Sequence, residues 1–318
     1  MAIWIAAIMT ACVTPEIELP VSECAPMPCD GRASACACAL QGKAYVFGGR
    51  NSEGVYLNDL WEYDAANDTW TNLGATPLKP RVNATMIAYE GKVYVGLGYS
   101  ETRAYRDTAY LRDWWTYDPQ TNQWNRLTPY PSKNTISTTP YVVGDRIYTI
   151  YGATGCFTRD MTWYDTKTDS WHQEEESHLR AKAAFKGVGA EVQGQYYYGL
   201  GFNTANLSQW YRVDLPTDSW TKCKSMPGKG RTCSTACATN QYIYVFGGRY
   251  FGGDMTGGEI FETYMRYSPD KDTWAMCGIM PCGRAENQVA FSINGHAYFG
   301  LGENEKGQKI NKLYRIED

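Results

Sequence analysis

Arginines recur in this 318-residue chain at places that invite one kind of chemistry. Arg32, Arg81, Arg231 and Arg284 each follow shortly after a proline, and Arg50 and Arg249 each end the hexapeptide YVFGGR, which occurs at 45–50 and again at 244–249. A guanidinium fork donates two parallel hydrogen bonds and suits carboxylates. These six arginines could therefore bind an acidic ligand, or they could hold the scaffold by satisfying loop carbonyls and joining neighbouring segments. Glu286, two residues after Arg284, is the carboxylate best placed among them for proton transfer, and Asn83 stands two residues after Arg81. A Glu at such a place can equally be the partner of a neighbouring Arg. The segment YSETRAYRDTAYLRD at 99–113 adds Tyr99, Arg103, Tyr105, Arg106 and Tyr110. Tyr and Arg together are the usual anchors of recognition surfaces, able to stack on sugar faces or to hold a protein partner. The same segment could also fold over its own unit.

Other chemistries find little support. The three histidines include His172 and His178 in HQEEESH, which lacks a recognised zinc spacing. Cys24, Cys29, Cys36 and Cys38 read as core residues or a local disulfide rather than as a metal site, so no metal and no cofactor is expected. No Ser-His-Asp or Cys-His arrangement can be drawn. Gly96-Leu97-Gly98 lacks a third glycine and a following helix, and the glycine-rich 249–262 also lacks the helix, which argues against nucleotide. A net charge of −4 gives no field to attract nucleic acid or an anionic membrane.

The elements that must position these residues are repeated. Six small-residue marks run along the chain: Gly48-Gly49, Gly96-Leu97-Gly98, Gly152-Ala153, Gly199-Leu200-Gly201, Gly247-Gly248 and Gly300-Leu301-Gly302. A tyrosine-rich strand leads into most of them, and a variable loop and a second strand follow. Trp70, Trp124, Trp171, Trp220 and Trp274 each lie six residues after Asp64, Asp118, Asp165, Asp214 and Ser268, so five turns of equal length are predicted. Short Tyr- and Val-rich strands bounded by turn residues, without long helical periodicity, mark an all-β chain.

A period near fifty residues carrying a glycine pair, a Tyr and a Trp resembles the kelch repeat, from about residue 16 to the end. The resemblance implies a six-bladed β-propeller with one four-stranded sheet per repeat. The last unit stops after its third strand. Val21, Cys24, Met27, Pro28 and Arg32 parallel Trp274, Cys277, Met280, Pro281 and Arg284, so residues 16–24 are expected to supply the outer strand of the sixth blade and close the ring. Strand directions alternate within a blade. The loop after the glycine pair and the loop carrying the post-proline Arg should therefore share one face, where many kelch domains bind ligands. Blades three and four depart from the register, with Lys133 and Arg180 set further from their glycines.

The family includes the propellers of galactose oxidase and the sialate epimerases. A copper site would need two histidines from different blades on one face, whereas His172 and His178 share one loop and His296 follows Gly295 in a turn expected on the opposite face. An epimerase needs only an acid/base pair in a sugar pocket, for which Glu286 is the candidate. The apolar run from Ile3 to Met9 and Ala11-Cys12 resemble the end of a bacterial lipoprotein signal, with Met9 where Leu, Ile or Val is usual and no Lys or Arg before it. Residues 1–12 are then a leader whose Cys12 is lipidated, and 13–318 form a single propeller. The expected function is that of an exported, lipid-anchored, monomeric cell-envelope module binding a protein or glycan through its Arg/Tyr loop face, with a sugar epimerase or mutarotase as the alternative.

Overall fold

The computed structural model describes residues 16–100, 109–131, 138–150, 161–174, 184–252 and 257–318. Six four-stranded antiparallel sheets follow one another. Cys36–Leu40, Lys43–Phe47, Asp59–Asp64 and Thr69–Ala75 make the first blade, and Thr85–Tyr89, Lys92–Gly96, Trp114–Asp118 and Gln123–Leu127 the second. Thr139–Val143, Arg146–Ile150, Met161–Asp165 and Ser170–Glu174 form the third, and Val188–Val192, Gln195–Gly199, Trp210–Asp214 and Ser219–Cys223 the fourth. Thr235–Ala238, Ile243–Phe246, Thr263–Ser268 and Thr273–Ile279 form the fifth. The sixth takes Val289–Ile293, His296–Gly300 and Leu313–Ile316 from the C-terminal end and Val21–Cys24 from the other.

That last pairing is antiparallel, from Val21 opposite Ile316 to Cys24 opposite Leu313. It covers an edge that would otherwise present unpaired backbone groups. The residues before it reach blade five, where the Glu16 amide donates to Met276 O and the Tyr264 hydroxyl to Leu19 O.

Local sequence explains the regularity. The first two strands of a blade are joined by pairs such as Gln41-Gly42, Glu90-Gly91, Gln193-Gly194 and Asn294-Gly295, with positive φ at both residues. This is the hairpin turn whose twist suits the flanking strands. In four of the five turns before a Trp, the first residue is an Asp that accepts from the backbone: Asp64 Oδ1 takes the Ala66 amide, Asp118 Oδ1 that of Gln120, Asp165 Oδ1 that of Lys167 and Asp214 Oδ1 that of Thr217. The last turn residue is left-handed in all five cases, at Asp68, Asn122, Asp169, Asp218 and Asp272.

The constant Trp spacing serves the joints between blades. Asp68 accepts from Tyr63 at 2.7 Å and from the Ala25 amide of the preceding blade at 2.8 Å, while Trp70 Nε1 donates to Ala25 O at 2.8 Å. The same latch joins Tyr164, Asp169 and Trp171 to Thr128, and Tyr267, Asp272 and Trp274 to Lys224. It therefore recurs at alternate joints, locking blade six to one, two to three and four to five. At the neighbouring joints the position of Ala25, Thr128 and Lys224 is taken by Gly74 in blade one and Gly278 in blade five. Both glycines have positive φ and lie beside a break in strand register.

Gly49 shows why the second glycine is required in the five described marks. Its φ is +95°, and a Cβ there would stand 2.9 Å from Ala33 O. The position before it tolerates Leu: Leu97, Leu200 and Leu301 adopt a similar left-handed φ.

Candidate functional site

The described part of the loop face is built from three layers of equivalent positions. Ser34, Asn83, Lys186, Cys233 and Asn287 all have positive φ and lie thirteen residues before the last residue of their blade's second strand. They ring the central channel, and their backbones bond round it: Asn83 N donates to Ser34 O, Ser34 N to Asn287 O and Asn287 N to Cys233 O. They line a cavity of about 140 Å³ at its mouth, above a channel of about 340 Å³ walled largely by small residues.

One residue before each ring member, Ala33, Val82, Phe185, Thr232 and Glu286 bridge to Arg50, Tyr99, Phe202, Arg249 and Glu303. This pairing corrects one sequence expectation. Asn83 is equivalent to Asn287, and Glu286 to Val82, because blade six has one extra residue between Arg284 and its inner strand.

Two residues before the ring sits the buried clasp. Arg81 is fully enclosed, with Nη1 and Nη2 donating to Asp113 Oδ1 and Oδ2 at 2.7 and 2.8 Å, Nη1 also to Leu97 O, and Nε to Lys79 O. Arg32 repeats this with Asp59 at 2.8 and 2.9 Å and Gly48 O. Trp115 and Trp61 donate to the same two carboxylates. Burial pushes both Asp pKa values up, but the arginine hydrogen bonds and charge outweigh it and hold Asp59 and Asp113 below the usual carboxylate range.

In blade five Arg231 faces Thr263 instead, donating to its carbonyl and hydroxyl, with the Phe261 ring 4.1 Å from Cζ. Without a carboxylate bound to it, burial pulls this guanidinium down to about 10. Blades four and six have Ala184 and Ala285 at the clasp position, opposite Gln209 and Lys312. The expectation that Arg32, Arg81 and Arg231 offer their guanidinium groups to a ligand is thus corrected: burial and internal acceptors consume them. Arg284, one residue out of that register, stays 44% exposed, 3.7 Å from both Glu262 and Glu305.

Arg249 and Arg50 are on the face itself. Arg249 grips Glu286 through Nε and Nη2 at 2.8 and 2.5 Å, which leaves that carboxylate 6% exposed and fully engaged. Arg50, 40% exposed, lies 3.4 Å from Glu303, which also accepts from Lys309 and from Asn287 Nδ2. Burial raises the Glu303 pKa, but Lys309 and Arg50 outweigh it and keep it low. Lys186 donates to Asn287 Oδ1, so one polar chain runs from the channel mouth to Arg50. Tyr99 packs edge-on between Tyr56 and Tyr110, with centroids 6.2 and 5.4 Å away, forming an aromatic strip across blades one and two.

Sequence reasoning missed Lys186, Asn287, Glu303 and Tyr56. The first three were findable by counting back from the end of each second strand, or forward from each glycine mark. Cys12, Arg103 and Tyr105 lie outside the described residues, as do Arg106, Lys133, His178 and Arg180.

Among the described residues no group of three His, Cys, Asp or Glu side chains could hold a metal. His172 stacks on Trp163 at 5.2 Å, and the nine described cysteines are free thiols. Burial raises Cys282 to about 11 and Cys36, Cys237 and Cys277 to about 12, which suits core residues rather than nucleophiles.

Comparison with known proteins agrees with this geometry. The KLHDC2/KLHL20/DRC7 Kelch-repeats domain model matches residues 9–201, and the Kelch motif matches 230–281. Kelch-like protein 25 of Xenopus tropicalis is 28% identical over 246 residues, covering 75% of this chain and 39% of that protein. The human Kelch-like protein 25 is likewise 28% identical, over 78% of this chain and 40% of its own length. The chain therefore spans about two fifths of these relatives. N-acetylneuraminate epimerase of Salmonella enteritidis is 37% identical over 91 residues, 28% of this chain and 23% of the enzyme. The solved structure of YjhT superposes with a TM-score of 0.74 at 18% identity, covering 91% of this chain and 96% of that one, a likeness of fold.

Proposed function

The chain belongs to the kelch-repeat family, and from that premise we propose that it is a non-catalytic module binding a protein partner through the loop face. Kelch propellers generally mediate protein binding. One observation carries the proposal: equivalent backbone positions bear Arg50, Tyr99, Phe202, Arg249 and Glu303. A repeated frame holding a different side chain in each blade is what a surface shaped for one particular partner requires. Arg50, Arg284 and the Tyr56–Tyr99–Tyr110 strip give it exposed cations beside aromatic anchors. Export and lipidation at Cys12 belong to the same proposal, and mass spectrometry of the native N-terminus should find an acylated cysteine.

The test is quantitative capture with two baits, wild type and Arg50→Glu/Tyr99→Ser, each checked for an unchanged melting curve. Partners recovered by the first and lost from the second support the proposal, whereas identical recoveries refute it.

The similarity to N-acetylneuraminate epimerase supports a second reading, in which Glu286 is the acid/base of a sugar isomerase. The bidentate Arg249 pair stands against it, since the carboxylate would have to leave that grip to exchange a proton. Anomer interconversion of N-acetylneuraminate, followed by NMR, decides between them. Turnover that is abolished by Glu286→Gln would establish the enzyme, and rates equal to buffer would dismiss it.

A further inference from the structure

Away from the channel mouth, a groove of about 530 Å³ opens at the outer rim of the loop face over blade two. Its walls are Pro77, Tyr110, Trp115 and Pro129, and its cations are Lys79, Arg112 and Arg126. Arg112 is fixed by donating to Tyr130 O at 2.7 Å and Pro131 O at 3.0 Å, while the Arg126 guanidinium lies 5.8 Å from the Trp115 ring centre. Asp113 is the one carboxylate among the lining residues, and the buried Arg81 already neutralises it. No carboxylate among the described residues forms an ion pair with Lys79, Arg112 or Arg126. Among the described residues, three exposed cations without counter-ions thus surround an apolar, aromatic floor on a chain whose net charge is −4.

We propose that this groove binds an acidic, extended polypeptide segment, with carboxylates at Lys79, Arg112 and Arg126 and apolar side chains against Trp115 and the prolines. Arg presents a fork to carboxylates, and aromatic and proline walls accept the side chains that alternate with them along an extended chain. The pairing is exposed at its rim, so its attraction is screened by salt. Apart from Tyr110, whose ring also ends the aromatic strip, this site needs none of the groups assigned to the central face and stands whether or not that face takes a protein.

The probe is a fluorescein-labelled octapeptide of alternating Glu and Leu, read by anisotropy against the whole chain. Saturable binding that weakens as salt rises is expected, with Lys79→Glu/Arg126→Glu reducing affinity about tenfold, since reversal replaces attraction by repulsion at two exposed positions. Arg50→Glu, on the central face, should leave the affinity unchanged. Both groove positions are exposed, and an unaltered melting curve identifies a folded variant. The milder Arg126→Gln should give an intermediate loss. An alternating Lys and Leu peptide should not bind. Absence of saturable binding, equal affinity for the groove variants, or a loss produced by Arg50→Glu instead would each overturn the proposal. Tighter binding of a single-stranded oligothymidylate than of the acidic peptide would overturn it too, because the groove would then be reading phosphate.

Discussion

Removing the Asp113 carboxylate by Asp113→Ala isolates what the arginine clasp contributes. Arg81 has no exposure and would lose two of its four hydrogen bonds, keeping only those to Lys79 O and Leu97 O. Trp115 Nε1 would lose its acceptor as well. Breaking a buried ion pair from one side costs about 3–5 kcal/mol, because an uncompensated charge remains. Asp113 is 18% exposed and water can partly replace it, so the lower end, about 3 kcal/mol, applies. An unfolding entropy of about 2.1 cal/mol/K per residue gives about 0.7 kcal/mol/K for a chain of this length, so Tm should fall by about 4–5 °C. The sign with pH is fixed by the depressed Asp113 pKa. Its stabilisation is complete above the unfolded value, about 3.9, and disappears as pH falls through the lower folded value. The gap between wild type and variant should therefore be full at neutral pH and close in strong acid. Arg81→Met/Asp113→Leu should recover most of the loss. Calorimetry showing Asp113→Ala within about 1 °C of wild type at neutral pH, or the double variant below the single, would refute the reasoning.

The incomplete clasp of blade five makes the opposite prediction. Thr263→Asp should supply the counter-charge Arg231 lacks, stabilising by about 1–3 kcal/mol as a charge-assisted bond to an already buried cation, and a lower Tm would contradict it. Deleting residues 13–24 removes the strand that pairs with Leu313–Ile316. Its Tm should drop further than that of Asp113→Ala, and an unchanged melt would show that the ring does not depend on this closure.

The ring was legible because its signals are local. The glycine marks, the Asp-to-Trp turn and the parallel between Val21–Arg32 and Trp274–Arg284 all lie within short windows of the chain. The arginines were not legible as a group, because their roles depend on residues about thirty positions away. Arg32 is buried by Asp59 and Arg81 by Asp113, while Arg284, which looks the same in sequence, escapes because Ala285 holds the clasp position. Glu286 was noticed as a carboxylate near arginines. Its partner proved to be Arg249, a side-chain contact between neighbouring blades that no local pattern encodes. Counting from the glycine marks would have placed Glu303 beside Arg50 and Lys186 at the channel mouth. Reading arginines alone concealed both.

The division of arginines into a buried scaffold and an exposed face can be tested without knowing any ligand. Native-state modification by a dicarbonyl reagent, read residue by residue by mass spectrometry, should label Arg50 and Arg284 rapidly and Arg249 more slowly, and leave Arg32, Arg81 and Arg231 protected until the ring unfolds. Labelling of Arg32 or Arg81 in the folded protein at the rate of Arg284 would contradict that division and, with it, the face assigned to binding.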